Sequence, residues 1–223
     1  MRRDGKMNDS YKNRILPVLF GVYCASLMLQ NILATKTIDV AVFTVTTGVL
    51  VSPLVFIIQD VASELYGYEK AKRMILLSFA MNFLATVLFQ VAIALPPSAT
   101  YGTQEAFETI LNSTFRITCA SFAAYVTGSL INSKIMVVLK EKHNKSLFTR
   151  AITSTLAGQF IDNAVFSIGA FAFVLPWPAI LSMIVGATLF EVVYEIVFFP
   201  VTKRIIHAMQ KKMEEEKHAS DAA

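Results

Sequence analysis

From about Ala151 to Leu175 the chain is apolar except for one short motif at its centre, Leu156-Ala157-Gly158-Gln159-Phe160-Ile161-Asp162-Asn163-Ala164. A run of this length can cross a bilayer, which takes about 20 helical residues. Gln159, Asp162 and Asn163 stand at i, i+3 and i+4, so a helix puts them on one face. A carboxylate at the centre of a spanning helix costs about 2.5–3.5 kcal/mol on insertion scales. It is tolerated where it faces a bundle interior or a wet cavity. The rest of the chain is therefore expected to build a cavity around this face.

Composition agrees with a membrane setting. The 223 residues are 55% hydrophobic and 16% charged, with 17 Phe and 9 Met, where soluble domains carry about 25% charged residues. Five further apolar runs lie at about Ile15–Thr35, Val42–Val61, Met74–Leu95, Phe115–Leu139 and Ala179–Val201. Pro96-Pro97 stops the third, and Pro176-Trp177-Pro178 makes a tight turn between the fifth and sixth, with an interfacial Trp. A polar gap, Lys36–Asp39, follows the first run, and Glu105–Leu111 suits a short interfacial helix.

Charge sets the orientation. Arg2, Arg3, Lys6, Lys12 and Arg14 precede the first run, Lys70, Lys72 and Arg73 follow the second, Lys140, Lys142, Lys145 and Arg150 follow the fourth, and Lys203 and Arg204 follow the sixth. The other connections hold Lys36 and almost no other positive charge. By the positive-inside rule this gives an all-α, integral membrane bundle of six transmembrane helices with both termini cytoplasmic. Residues 1–14 are a cytoplasmic N-terminal segment, 15–204 the six-helix transmembrane domain, and 205–223 a charged cytoplasmic tail. A three-plus-three inverted repeat, frequent in small transporters, is left open by weak echoes such as Gln59-Asp60 against Gln159…Asp162.

The net charge of +4 lies mostly outside the apolar runs and marks topology rather than nucleic-acid binding. Cys24 and Cys119 sit inside apolar runs and suggest neither a disulfide framework nor a metal site. His143, His207 and His218 fall in or near the polar cytoplasmic segments. Walker, HExxH and nucleophile-elbow motifs are absent. No catalytic residue, metal or cofactor is expected, and the bilayer and one small molecule are the expected partners. A homo-oligomer is compatible with the sequence.

Counting depth at 1.5 Å per residue puts Asp162 and Glu191 near mid-membrane on adjacent helices. Glu191, Tyr194 and Glu195 again share one face. Asn82 and Tyr125 fall near the same level, Asn31 and Ser121 nearer the outer side, and Gln59, Asp60 and Glu64 nearer the cytoplasm. No Lys or Arg lies at mid-depth, so Asp162 and Glu191 lack a cationic partner there. They fit a protonated or hydrated carboxyl, or one that meets a ligand. The plainer reading is helix–helix pairing, common for buried amides. It weighs about equally for Gln59, Asn31 and Asn82, whereas Asp60 and Glu64 can pair with the basic loop. Carboxylates accept paired N–H donors, Asn or Gln supplies the complement, and aromatic rings stack on a nucleobase at about 1–3 kcal/mol per base. A purine-like base or a cation fits such a site; an organic anion does not.

Several stretches resemble the queuosine precursor transporter family, also described as vitamin-uptake-like. They are Asn31-Ile32-Leu33-Ala34-Thr35-Lys36, Gly48-Val49-Leu50-Val51-Ser52-Pro53-Leu54, Gln59-Asp60-Val61-Ala62-Ser63-Glu64-Leu65-Tyr66-Gly67-Tyr68, residues 116–132, and Gln159 through Asn163. The resemblance spans about residues 15–205. It implies a six-span inner-membrane importer of 7-deazaguanines: 7-cyano-7-deazaguanine, 7-aminomethyl-7-deazaguanine or queuine. Asn31, Lys36, Gln59, Asp60, Glu64, Arg116, Gln159 and Asp162 stand at its motif positions.

With depth as the guide, Gln159, Asp162, Asn163, Glu191, Tyr194, Glu195, Asn31, Tyr125 and Asn82 are expected at the substrate. Phe160, Tyr125 or Tyr194 would stack on its ring. Gln59, Asp60, Glu64, Lys36 and Arg116 are expected to gate or couple. Two alternatives remain. One is a substrate-binding subunit of an energy-coupling-factor importer, docking through Gly21-x-x-x-Ala25. The other is a scaffold whose carboxylates only pair helices.

Overall fold

The computed structural model describes residues 9–143 and 147–221. Its elements are α1 (Asp9–Leu33), a hairpin of β1 (Thr37–Val40) and β2 (Phe43–Thr46), a 3-10 turn (Thr47–Leu50), α2 (Ser52–Tyr66), α3 (Tyr68–Ala94), α4 (Gln104–His143), α5 (Leu147–Phe171) and α6 (Trp177–Asp221). Three stretches are long and apolar enough to cross a bilayer among the described residues: Arg14–Leu33, Glu69–Ala94 and Trp177–Phe198. The chain is thus a mostly helical, multi-pass membrane protein.

The second apolar run departs from expectation. Val42–Val61 is not one helix. Its first part pairs with the polar gap before it, Thr37 to Thr46, Ile38 to Val45, Asp39 to Thr44 and Val40 to Phe43. The β-branched residues Thr37, Ile38, Val40, Thr44, Val45 and Thr46 favour extended backbone, and Ala41 adopts φ 54° in the turn. Thr44 Oγ1 donates to Asp39 Oδ1 at 2.8 Å across the pair. The backbone N–H of Thr47 closes the hairpin on the Lys36 carbonyl at 2.8 Å. Pro53 then fits the first turn of α2, where its missing N–H goes unused. At 15 residues, α2 is about 22 Å long, short of the ~30 Å hydrocarbon core. The run enters as a strand pair and leaves as a helix.

Glu105–Leu111 is likewise not a separate helix; it is the opening of α4, which runs 40 residues without a break. α3 ends at Ala94, just before Pro96-Pro97, and α6 begins at Trp177 after the turn from α5. α6 runs on through Pro200 to Asp221, with no break at Arg204.

Two apolar clusters hold the bundle. Tyr23 and Leu27 of α1, Val55, Ile58 and Ala62 of α2, and Ala71, Met74, Ile75 and Phe79 of α3 form one. Ala34, Ile117 and Ala120, Ala170 and Phe171, and Ile180, Met183 and Ile184 form the other, joining the end of α1 to α4, α5 and α6. α4 and α5 approach closely where side chains are small: a Cβ on Gly169 would lie 2.9 Å from Ala120 Cβ, and one on Gly128 would lie 2.9 Å from Asp162 Cβ. The hairpin is pressed on α6, where a Cβ on Gly186 would lie 2.7 Å from Phe43 Cβ. Gly186 is near the middle of the apolar stretch of α6. Non-helical backbone is tolerated at such depth when protein covers it or it lines a cavity.

Candidate functional site

A polar cavity lies beside the second cluster, two of whose members, Ala34 and Met183, line it. It holds about 80 Å³ of room for water-sized occupants and widens into an open mouth. α5 contributes Asp162, Asn163, Phe166 and Ser167; α6 contributes Met183, Ala187 and Glu191; α1 contributes Gln30 and Asn31, and Ala34 follows just after it. The broken second run supplies Val45, Thr46, Val49 and Ser52, and α4 supplies Ser121. Strand, turn and helix start all reach this one place.

The cavity wall is tied together by side chains. Asn163 Nδ2 donates to Glu191 Oε2 at 2.6 Å and to Thr188 Oγ1 at 3.3 Å. Thr188 Oγ1 donates in turn to the Ile184 carbonyl at 2.7 Å. On the opposite wall Gln30 Nε2 donates to Ser52 Oγ at 3.0 Å, which fixes the start of α2 to α1. These bonds use the amide N–H groups of Asn163 and Gln30, so their carbonyl oxygens are the ends left to accept. Gln30 Oε1 and Gln159 Oε1 are buried without a hydrogen-bond partner, and so is the donor Asn31 Nδ2. Together with the two carboxylates, the cavity is rich in acceptors and holds one uncommitted amide donor at Asn31. Unpaired buried polar groups cost free energy, and a ligand with N–H donors and a carbonyl meets that pattern.

Of the residues expected at the substrate, Asn31, Asp162, Asn163 and Glu191 come together here. Gln159 is one turn before Asn163, partly buried, and outside the lining. Tyr194 does not line the cavity. It is buried, donates its hydroxyl to the Pro53 carbonyl at 3.1 Å, and stacks on Phe198 with ring centroids 4.3 Å apart. Tyr125 lies against Phe79 at 5.5 Å. Asn82 is buried in α3, away from the lining. Phe160 is exposed on the outer side of α5, and the aromatic ring in the wall is Phe166, one turn beyond Asp162. The Glu64 and Glu195 side chains lie outside the described residues. Lys36 and Asp60 are exposed, Gln59 is half-buried, and none of the three lines the cavity.

Arg116 clamps the end of α5. Its Nε donates to the Gly169 carbonyl at 2.7 Å and its Nη2 to the Ala172 carbonyl at 2.6 Å. These are orphan carbonyls at the C-terminal end of the helix, where a cation is favoured. Gln30, Ser52 and Ser167 escaped the sequence reading. Gln30 sits beside Asn31, and Ser52 precedes a proline that marks a helix start. Those are the signals that could have found them.

The fold and cavity define a multi-pass membrane protein with a polar cavity inside its bundle, part of one apolar run folding back to line it. The comparisons agree. Residues 46–205 match the family model described as "Putative vitamin uptake transporter". Over 183 residues the chain is 23% identical to the "Probable queuosine precursor transporter" of Bacillus subtilis, covering 81% of this chain and 78% of that one. It is 29% identical over 124 residues to the protein of the same name from Haemophilus influenzae, covering 54% of this chain and 49% of the relative. No solved structure matches it. The chain belongs to the vitamin-uptake-like family of queuosine precursor transporters.

Proposed function

We propose that this protein imports a queuosine precursor across the inner membrane. The substrate is 7-cyano-7-deazaguanine, 7-aminomethyl-7-deazaguanine or queuine. The bundle crosses six times, α2 with its hairpin counting as the second crossing, and both termini are cytoplasmic. The observation that carries this reading is that Asp162 and Glu191, from adjacent helices, line one cavity with Asn31.

A 7-deazaguanine edge carries a ring N–H and an exocyclic amino group beside a carbonyl. The N–H groups donate to Asp162, Glu191 and the oxygens of Gln30 and Asn163. The carbonyl accepts from Asn31 Nδ2, and Phe166 lies against the ring. The carboxylates disfavour an anionic ligand, and with no Lys or Arg in the lining there is nothing to offset that. Asp60, Glu64 and Lys36 act outside this contact, in gating or coupling.

Uptake of a labelled 7-deazaguanine tests the reading. Cells lacking their own synthesis of the base should take it up with the wild-type chain and fail with Asp162→Asn. Unchanged uptake by a well-expressed Asp162→Asn variant removes Asp162 from the mechanism. Uptake into vesicles by the purified chain alone separates this reading from a binding subunit that needs an ATPase module. Absence of any ligand-induced thermal stabilisation would favour a scaffold.

A further inference from the structure

α3 has the face pattern of a helix in lipid rather than water. Leu76, Leu77, Met81, Leu84, Leu88 and Val91 are exposed, while Ser78, Asn82 and Thr86, at i, i+4 and i+8, are fully buried. α4 presents Thr114 and Thr118, also buried. Ring pairs set the register between the two helices: Phe83 meets Phe115 at 5.7 Å and Phe79 meets Phe122 at 5.3 Å. In that antiparallel register Asn82 lies level with Thr118, and Thr86 with Thr114.

The outer pair is satisfied by its own helices. Thr86 Oγ1 donates to the Phe83 carbonyl at 2.8 Å and Thr114 Oγ1 to the Ile110 carbonyl at 3.1 Å. Serine and threonine within helices commonly bond back in this way. Ser78 and Thr118 do not. Ser78 Oγ, Thr118 Oγ1 and both polar atoms of Asn82 are buried with no hydrogen-bond partner. The Cys24 thiol of α1 lies beside Ser78, but a thiol is a weak donor and acceptor. An amide with neither end paired, level with one unpaired hydroxyl and a turn from another, is costly inside a bilayer.

We propose that the α3–α4 seam binds a small cluster of water molecules at Ser78, Asn82 and Thr118. The chemistry of the set selects water. It contains an amide N–H donor, an amide oxygen and two hydroxyls, and water both donates and accepts. A metal cation meets only the oxygens and is repelled by the N–H, and no carboxylate faces it from these positions. The seam sits directly behind the cavity. Ser121, at i+3 from Thr118, lines the cavity, as does Asn31 with its unpaired Nδ2. The waters hydrate the back of the ligand site whatever ligand it takes.

X-ray radiolytic labelling of the purified full chain, read by mass spectrometry, tests this, because bound water is converted to hydroxyl radical in place. Phe79 is 6% exposed and one residue from Ser78. It should be labelled several-fold more in the beam than by radicals generated in bulk solvent. The double substitution Ser78→Ala with Asn82→Leu should reduce Phe79 labelling to the bulk level. Thr118→Val, which keeps the shape, should reduce it while leaving elution behaviour unchanged, and serves if the double variant fails to fold. Phe79 labelling no higher than bulk in folded wild type means a dry seam and overturns the proposal. So does a saturable rise in melting temperature with sodium over choline chloride that Thr118→Val abolishes, since the site would then be a cation site.

Discussion

Asn163 on α5 donates its amide to the Glu191 carboxylate on α6 at 2.6 Å, shorter than its bond to Thr188 at 3.3 Å. Two helices joined by one turn are thereby locked at the cavity, and the Asn163 oxygen is turned to accept. A hydrogen bond to a charged group is worth about 1.5–3 kcal/mol, or roughly 10- to 100-fold in affinity. Asn163→Ala should raise the half-saturating substrate concentration by about tenfold or more by this conversion. Asn163→Asp should be worse, because it sets one carboxylate against another. Concentration-dependent uptake at matched expression measures both; equal half-saturation for all three proteins would mean that the bond does not shape the site.

Gly128 and Asp162 make a second such contact. A Cβ on Gly128 would lie 2.9 Å from Asp162 Cβ, 3.0 Å from the Gly158 carbonyl and 3.2 Å from Asp162 Oδ1. Two of these atoms belong to backbone or to the stem of a side chain, so neither can simply swing away. Gly128→Ala should therefore push α5 from α4 at the level of the carboxylate, at a cost of about 1–3 kcal/mol. Uptake should fall more steeply than membrane abundance. Scanning fluorimetry and uptake on the same preparations read the two effects apart.

Much of this site was legible in the sequence because its strongest signals are local. Asp162 and Asn163 in an apolar run, and Glu191 in the next, need only helical periodicity to be placed on inward faces. Asn31 has a weaker signal: depth puts it nearer the outer side, and helix packing explains a buried amide there equally well. The broken second run was not legible by hydropathy. Val42–Val61 is as apolar as a spanning helix, and what divides it is the tertiary fit of the Thr37–Thr46 hairpin against Gly186. Tyr194 shares the face of Glu191 by spacing, yet its hydroxyl is taken by Pro53. The carbonyls that Arg116 holds, some fifty residues on, have no mark in sequence at all.

Arg116 offers a test that separates clamp from charge. Its two nitrogens reach two different carbonyls, Gly169 and Ala172, a geometry that a lysine ammonium reproduces poorly. Arg116→Lys keeps the positive charge and should still lower thermal stability by about 1–3 kcal/mol, close to the effect of Arg116→Gln. If Arg116 acts only through its charge at the outer mouth, Lys should restore uptake and stability fully. Melting temperature and uptake for the two variants decide between these roles.

The hairpin is held on α6 from two sides. Ser182 Oγ accepts the Thr44 backbone N–H at 2.9 Å, and Gly186 leaves room for Phe43, whose Cβ would be 2.7 Å and Cγ 3.1 Å from an added methyl. Because Val45 and Thr46 reach the cavity from this hairpin, and Val49 and Ser52 follow it directly in the chain, displacing it opens one wall. Gly186→Ala should lift the hairpin slightly, and Gly186→Val more. The strained contact should cost about 1–3 kcal/mol of stability. The expected signature is ligand-induced stabilisation that shrinks from wild type to Ala to Val, while the helical circular dichroism of the bundle is unchanged. Undiminished ligand stabilisation in Gly186→Val would show that the strand pair is a cover over the cavity rather than part of its wall.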